Sequence, residues 1–255
     1  MVAIEKDRMP LLGHLQELRK RVLVSFLSVC VGGVACWFLY DAILELLLEP
    51  YCQIRDNSDP ERIFGSGCEL LVTDPLEPFG VRLTIAGYGG IILSIPMLLW
   101  QAWRFIAPGL LSKEKKWAVP FVFSGLILFL SGSVLAYWSI PRALDFLVEI
   151  GGPDLVSVFS PAKYIGFVIK MIVAFGIGFE FPLFLIFLQL LGVLTPTALR
   201  KSRRYAIVGI VALVAVLTPS GDPFTLLILS VPMILFYEIA ILVGSIRIRR
   251  MMTKA

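Results

Sequence analysis

The sequence predicts an all-α integral membrane protein, a single polytopic domain over residues 1–255 with six transmembrane helices. Two observations lead to this fold class. Hydrophobic residues make up 58% of the chain and charged residues only 16%, whereas a soluble domain carries about 25% charged residues. The apolar residues also fall into uninterrupted runs of about 20 residues, the length that an α-helix needs to cross a bilayer.

Six such runs can be distinguished along the chain. The predicted spans cover residues 22–40, 83–103, 117–140, 164–191, 205–217 and 224–243. Large apolar side chains occupy every face of each run, which distinguishes the runs from amphipathic surface helices. As a helix, the fifth run is only about 20 Å long, against a hydrocarbon core of about 30 Å. It must therefore extend into less apolar sequence or lie where the bilayer is thin.

Lysine and arginine predict the orientation of the spans. They cluster before the first span, between the second and third, between the fourth and fifth, and after the last. The opposite loops carry only Arg55, Arg62, Arg82, Arg142 and Lys163, diluted by acidic residues. Because cytoplasmic loops are enriched in lysine and arginine, we expect both termini in the cytoplasm. The formal net charge of +4 then reflects the lysines and arginines of the cytoplasmic loops. We therefore expect no nucleic-acid partner.

The long outer loop, residues 41–81, is rich in proline, glycine and acids, and we expect an irregular structure there. Cys52 and Cys68 fall within it. In an oxidising compartment, such a pair is compatible with a disulfide that closes a loop of about 15 residues. Two free thiols are the alternative, and the sequence favours neither.

The residue types that enzymes need are scarce. There is no glycine-rich phosphate-binding motif of the GxxxxGK[ST] type, so nucleotide hydrolysis is not expected. The only histidine, His14, lies in the N-terminal segment. This leaves no histidine partner for a serine nucleophile inside the membrane and no HExxH zinc site. The sequence therefore predicts no enzyme and no cofactor or metal site.

Two cytoplasmic segments contain isolated carboxylates. In the segment Leu11–Arg21, apolar residues recur at helical spacing, which predicts an amphipathic helix leading into the first span, with Glu17 on its other side. In the second segment, Phe105–Lys116, Pro108 and Gly109 end the helix and Glu114 stands among three lysines. Physical reasoning alone favours solvated surface charges in both, including an i,i+4 ion pair at Glu17.

Two further acids, Glu180 and Asp222, lie near membrane depth. Glycines before Glu180 and Pro182 after it predict a kink in the fourth span. A charge in such a position is rare unless it faces protein or a water-filled cavity, so a functional role is the first interpretation. Lys170 shares this span but lies about 15 Å along the helix from Glu180, too far for a direct pair. Its longer side chain suits snorkelling to an interface.

Four segments together resemble the TatC family. They are HLQELRKR at 14–21, FIAPGLLSKEKK at 105–116, AFGIGFEFP at 174–182, and LTPSGDPF followed by VPM at 217–233. They occur in order over nearly the whole chain. TatC is the core subunit of the twin-arginine, Sec-independent protein translocase of the bacterial cytoplasmic membrane. The resemblance implies export of folded proteins driven by the proton motive force, and recognition of signal peptides that carry two consecutive arginines.

The resemblance also assigns a signal-peptide site. Glutamates at matching positions form the family's arginine-binding site, which corresponds here to Glu17 and Glu114, with Arg19 and Phe105 as neighbours. Two guanidinium groups call for two ionised carboxylates, each able to accept a bidentate pair. The resemblance therefore outweighs the interpretation of these carboxylates as solvated surface charges.

Docking of partner subunits is the second role that the resemblance implies. Glu180 and Asp222 match acids associated with a concave pocket inside the membrane, where the single-span subunits TatA and TatB dock, and we expect an oligomeric complex in the lipid bilayer. A half-buried carboxylate attracts a polar group of a partner helix because neither is satisfied in lipid. Leu226 departs from the family, since many members have glutamine there. Pro50 matches a family proline that we interpret as structural.

Two alternatives come from other functional classes. A proton-coupled secondary transporter would use Glu180 and Asp222, with Lys170, as a relay. Such folds usually show inverted repeats, and the first and last three spans show no self-similarity. A pure scaffold would leave the buried acids unexplained.

Overall fold

The computed structural model describes residues 11–57, 68, 70–106, 118–152, 157–190, 192–219 and 221–252. Over these ranges the chain forms ten α-helices. They are α1 (Leu11–Phe38), α2 (Tyr40–Asn57), α3 (Glu77–Leu93), α4 (Ile95–Ile106), α5 (Ala118–Ile150), α6 (Pro161–Phe179), α7 (Phe181–Leu190), α8 (Pro196–Lys201), α9 (Arg203–Leu217) and α10 (Pro223–Met252). The predicted all-α class is confirmed.

Four segments are long and apolar enough to cross a membrane, and they lie in α1, α5, α6 with α7, and α10. A fifth is formed by α3 and α4, which meet at a bend of 51°. Helix α9 has 15 residues and is therefore about 22 Å long, shorter than a typical hydrocarbon core. Together these elements follow the order of the six predicted spans. Trp117 and Leu191, at two predicted span ends, lie outside the described residues.

The helices extend further than the predicted spans. Helix α1 runs without a break from Leu11, so the predicted amphipathic segment and the first span are one helix. It ends at Phe38, two residues before the predicted end. Helix α5 continues to Ile150 and α10 to Met252. Apolar runs mark the lipid-facing part of a helix, whereas the backbone ladder continues through polar residues beyond it.

The expectation of an irregular structure throughout residues 41–81 is wrong, because α2 occupies the first part of this loop. Its buried side chains Leu47, Tyr51 and Ile54 recur at helical spacing and belong to a core shared with α3, α5 and α6. The acids on its other side are exposed. The helix is amphipathic and packs its apolar side against this core; the proline and acids in the sequence concealed this pattern.

Pro50 lies inside α2, where its missing N–H leaves the Leu46 carbonyl without its helical donor. The Tyr137 hydroxyl of α5 lies 2.9 Å from that carbonyl and donates to it. One residue further on, the Tyr164 hydroxyl of α6 donates to the Leu47 carbonyl at 2.7 Å. Two tyrosines thus attach the proline turn to the bundle, which supports the structural interpretation of Pro50.

The second span bends at Ser94, between α3 and α4. Pro96 follows in the first turn of α4 and has no N–H, so the ladder cannot continue through this point. The Ser94 hydroxyl donates to the Ser28 carbonyl of α1 at 2.8 Å. At this level the backbones of α1 and α3 are in contact: a Cβ on Gly90 would lie 2.6 Å from the Gly33 nitrogen. Small residues permit such close helix packing in membranes.

Helix α6 is the central helix of the bundle. Its residues contribute to two buried cores, one shared with α2, α3 and α5 and the other with α5, α9 and α10. Half of the apolar window in α6 and α7 is buried, compared with 11% of the window in α1. An acid at the end of α6 therefore lies among protein more than an acid on α1 would.

Cys52 of α2 is joined to Cys68, with the two Cα atoms 5.1 Å apart. This separation lies within the range that a disulfide requires. Cys30 and Cys36 of α1 are free. The bridge connects α2 to the segment that leads into α3, and its formation in the cell stays a prediction.

Candidate functional site

Glu17 and Arg21 form an ion pair on α1, with Oε1 of Glu17 2.9 Å from a terminal nitrogen of Arg21. Their i,i+4 spacing places both on one side of the helix. The predicted i,i+4 ion pair is confirmed, but its side chains are only 20% and 15% exposed, so the pair is partly buried and not a solvated surface pair. Burial reduces solvent screening and raises the cost of removing either partner.

Gln101 of α4 extends this ion pair to a second helix. The other terminal nitrogen of Arg21 donates to Oε1 of Gln101 at 3.2 Å, and the Gln101 side chain is buried. Phe105, half-buried, follows four residues later on α4, so both residues lie on the same side of that helix. Sequence reasoning missed Gln101, although a single amide within an apolar span is itself a signal.

The other residues of the predicted signal-peptide site are placed unevenly. Arg19 is exposed on α1, as is its neighbour Lys20. Glu114 lies outside the described residues. The hydrogen bond from Arg21 to Gln101 therefore links α1 to α4, the helix that carries Phe105. Glu114 is assigned to the site from its sequence motif only.

Glu180 lies at the break between α6 and α7 and ends α6 as its C-cap residue. The helix is interrupted at the position of the predicted kink, but α6 and α7 together still form one segment long enough to cross a membrane. The carboxylate points towards Gly125 of α5: a Cβ there would lie 3.2 Å from each of its oxygens. One of these oxygens, Oε1, is buried and has no hydrogen-bond partner in the part of the chain that the structure describes. Most buried polar groups in proteins are paired, so this carboxylate has an unmet capacity to accept a hydrogen bond.

Asp222 has a structural task at the start of α10. Its Oδ1 accepts the Thr225 main-chain N–H at 2.7 Å, which is the bond of a helix N-cap. The residue is fully buried, and Pro223 occupies the first position of the helix, as prolines commonly do. Its Oδ2 is buried without a partner among the described residues.

The two buried acids do not form a pair. A Cβ on Gly178, two residues before Glu180, would lie 3.2 Å from a side-chain carbon of Leu229 in α10. Leu229 lies seven residues beyond Asp222, about 10 Å along the helix axis. Glu180 and Asp222 are therefore at different depths of the bundle, which argues against direct proton exchange between them.

The comparisons with known proteins agree with this architecture. The family profile described as "TatC: Sec-independent protein translocase protein (TatC)" matches residues 13–232. The chain belongs to the TatC family. The resemblance identified from four sequence motifs is thereby confirmed, as is the absence of an enzymatic class, because TatC is a component of a protein translocase. The chain is thus a multi-pass membrane protein of Sec-independent protein transport.

Relatives of known name cover nearly all of the chain. The TatC protein of Frankia casuarinae is 38% identical over 97% of this chain and 68% of its own length. The TatC protein of Aquifex aeolicus is 36% identical over 95% of this chain and 97% of its own length. Among solved structures, one described as the twin arginine translocase receptor TatC is 35% identical, with a TM-score of 0.73, and covers 91% of this chain and 98% of its own.

Proposed function

We propose that the chain is the core receptor subunit of a twin-arginine translocase in the bacterial cytoplasmic membrane, with both termini in the cytoplasm. It binds twin-arginine signal peptides at its cytoplasmic face. It organises TatA- and TatB-type single-span subunits into an oligomeric complex that exports folded proteins with the proton motive force. The likeness to a solved structure described as a twin arginine translocase receptor supports this proposal.

The receptor role rests on one observation: the carboxylate of Glu17 is held in a fixed position. Arg21 engages Oε1 only, and Oε2 has no partner among the described residues. Because Arg21 is itself held by Gln101, the carboxylate is fixed with one oxygen open. A fixed acceptor binds a guanidinium with less loss of side-chain entropy than a mobile one. The open oxygen can accept the first arginine of a signal peptide.

Charge around Glu17 explains why a second acid is needed. Arg19, Lys20 and Arg21 follow this single carboxylate in the sequence, so the segment is cationic overall and would repel a peptide with two arginines. Glu114, from the loop after α4, supplies the second negative charge in our proposal. Each carboxylate then pairs with one guanidinium, and Phe105 offers an apolar surface beside them.

Partner docking is assigned to Glu180. Its side chain is half-buried and its Oε1 has no partner within the described residues; an unsatisfied carboxylate in the membrane favours association with a helix that carries a polar donor. The docking role predicted for Asp222 stays a prediction; its capping bond shows that the residue also stabilises α10. Leu226, which packs against the core near α10's start, cannot supply the amide contact that many members have.

Binding of a synthetic twin-arginine signal peptide to the purified chain tests the receptor role. We expect Glu17→Ala and Glu114→Ala each to weaken binding about tenfold to a hundredfold, since each removes a charge-assisted partner worth roughly 1.5–3 kcal/mol. Glu45→Ala is the matched control, because it removes an exposed carboxylate of α2. A peptide with lysine at the first arginine should bind less well to the unaltered chain. Undiminished binding in the Glu17 and Glu114 double variant would contradict the proposal.

A further inference from the structure

A groove of about 600 Å³ lies between α2 and α5. We call it the α2–α5 groove. Its walls include Pro50 and Ile54 of α2 and Val134, Trp138, Arg142 and Asp145 of α5. The volume is in the range of sites that hold small organic ligands. None of the predicted signal-peptide or docking residues lines it.

The groove changes from apolar to charged along α5. Val134, Trp138, Arg142 and Asp145 follow at intervals of four, four and three residues, which places them on one side of the helix over about 16 Å. Val134 lies inside the predicted third span, and Arg142 and Asp145 lie beyond its end at residue 140. Trp138, between them and 53% exposed, is at the depth where tryptophan is enriched in membrane proteins. The groove thus has an apolar part within the bilayer and a charged part at its surface.

The guanidinium of Arg142 stacks on two aromatic rings, and its N–H donors have no partner among the described residues. The centre of its guanidinium lies 4.1 Å from the ring of Trp138 and 5.6 Å from that of Phe224. Across the described residues, the guanidinium has no hydrogen-bond acceptor and no carboxylate within ion-pair distance. A guanidinium that stacks on aromatic faces keeps its N–H donors available for the bidentate geometry of a phosphate.

Asp145 adds the opposite charge one turn further along α5. Helix neighbours three residues apart have Cβ atoms about 5–6 Å from each other, so a ligand can contact both side chains at once. A purely anionic headgroup would be repelled by Asp145, and a purely cationic one by Arg142. Charge complementarity therefore favours a zwitterion that carries its two charges on neighbouring groups.

We propose that the α2–α5 groove binds a phospholipid with a phosphate and a primary ammonium, such as phosphatidylethanolamine. The phosphate accepts hydrogen bonds from Arg142, the ammonium donates to Asp145, and an acyl chain lies along Trp138 and Val134. The site follows from the groove alone and does not depend on the signal-peptide or docking assignments.

Native mass spectrometry of the delipidated full chain in detergent, titrated with phosphatidylethanolamine or phosphatidylglycerol of the same acyl chains, tests the site. We expect phosphatidylethanolamine to bind at least tenfold more tightly than phosphatidylglycerol. Arg142→Gln should lose most of this binding, and Arg142→Lys should keep a part of it, because the charge remains without the planar fork. Asp145→Asn should remove the preference for the ethanolamine lipid.

Lys163→Gln is the matched control, because it removes an exposed cation on α6 outside the groove. The proposal is overturned if Lys163→Gln and Arg142→Gln reduce binding equally, or if Asp145→Asn leaves the lipid preference unchanged. A photo-crosslinking residue at Val134 provides a readout in native membranes that needs no loss-of-function variant. A lipid-sized adduct supports the site, whereas a protein-sized adduct assigns the groove to a partner helix and overturns it.

Discussion

Tyr137 of α5 donates its hydroxyl proton to the main-chain carbonyl of Leu46 in α2, 2.9 Å away. The same hydroxyl lies 2.8 Å from a carboxylate oxygen of Glu49, so its single proton is shared between two acceptors. Because Pro50 removes the helical donor of the Leu46 carbonyl, the tyrosine replaces a backbone hydrogen bond with a contact between two helices. Local helix chemistry and tertiary packing therefore depend on each other at this point.

The first prediction concerns this dependence. Tyr137→Phe should lower the free energy of unfolding by about 1 kcal/mol, the usual size of one net hydrogen bond. In a Pro50→Ala background, which restores the N–H, the cost of Tyr137→Phe should be smaller. Thermal unfolding of the four proteins of this double-mutant cycle in one detergent measures the coupling. Equal costs in both backgrounds would show that the tyrosine does not replace the missing donor.

The second prediction concerns the residues that hold Glu17. Arg21→Ala and Gln101→Ala should weaken signal-peptide binding, but by less than Glu17→Ala, because each leaves the carboxylate present and only less fixed. The Arg21 substitution also removes a repelling cation, so the Gln101 substitution is the cleaner test. If Arg21 instead blocked the site, its removal would strengthen binding. Titration with labelled peptide at fixed ionic strength distinguishes the two signs.

The third prediction concerns Glu180. Glu180→Gln keeps a hydrogen-bonding group and should retain much of the transport activity, whereas Glu180→Leu should impair crosslinking to partner subunits. Signal-peptide binding should be unchanged in both, because Glu17 and Arg21 lie on α1. A proton relay predicts a different pattern: the Gln variant, unable to exchange a proton, would be as inactive as the Leu variant with its partner crosslinks intact.

Gly125 offers a steric test of the same carboxylate. A Cβ at this position would lie 2.9 Å from Cδ1 of Leu99 and 3.2 Å from both oxygens of Glu180, so Gly125→Ala should displace both side chains and reduce partner crosslinking. Shortening the acid in the same protein, Gly125→Ala with Glu180→Asp, should recover part of the loss. Gly166→Ala on α6 is the control, since a Cβ there meets open space. Failure of the shortened acid to recover crosslinking would mean that the glycine acts through helix packing alone.

The fourth prediction concerns the bridge between Cys52 and Cys68. Peptide mapping without reductant should recover the two cysteines in one linked peptide. Closing a loop of this size stabilises a fold by about 3 kcal/mol in the chain-entropy account, so Cys52→Ser should lower the unfolding temperature. Cys30→Ser, at an exposed free cysteine, serves as the comparison. Alkylation of both thiols before reduction would exclude the bridge.

The fifth prediction concerns orientation. A reporter that is active only outside the cytoplasm should work when fused after Asp59 or Gly152 and fail after Arg203 or Ala255. Activity after Ala255 would require an odd number of spans. Because α9 is short, its crossing is the one that this experiment tests most directly.

The spans and the isolated acids could be predicted from the sequence, because apolar runs and isolated charges are recognised from local sequence alone. Helix α2 was not predicted, because Pro50 and the acids of its exposed side hid a helical pattern that only burial reveals. The bend of the second span at Ser94 was not predicted, although Pro96 two residues later indicates a break in the helix. The capping role of Asp222 was also readable, since an aspartate before a proline is a common helix start. Contacts such as Arg21 with Gln101 join residues far apart in the chain, and no local pattern reports them.

The glycine contact between α1 and α3 has a consequence for natural variation. Only 11% of the apolar window in α1 is buried, so most of its large side chains face lipid and can be exchanged for other apolar residues at little cost. Gly90 has no such freedom: one added methyl group would meet the Gly33 backbone at 2.6 Å. In a soluble core, replacing a large side chain is usually the costly change. Along α1 and α3 we expect the large positions to tolerate substitution and the small positions not to. The bulkiest positions should drift between species, and the smallest should stay fixed.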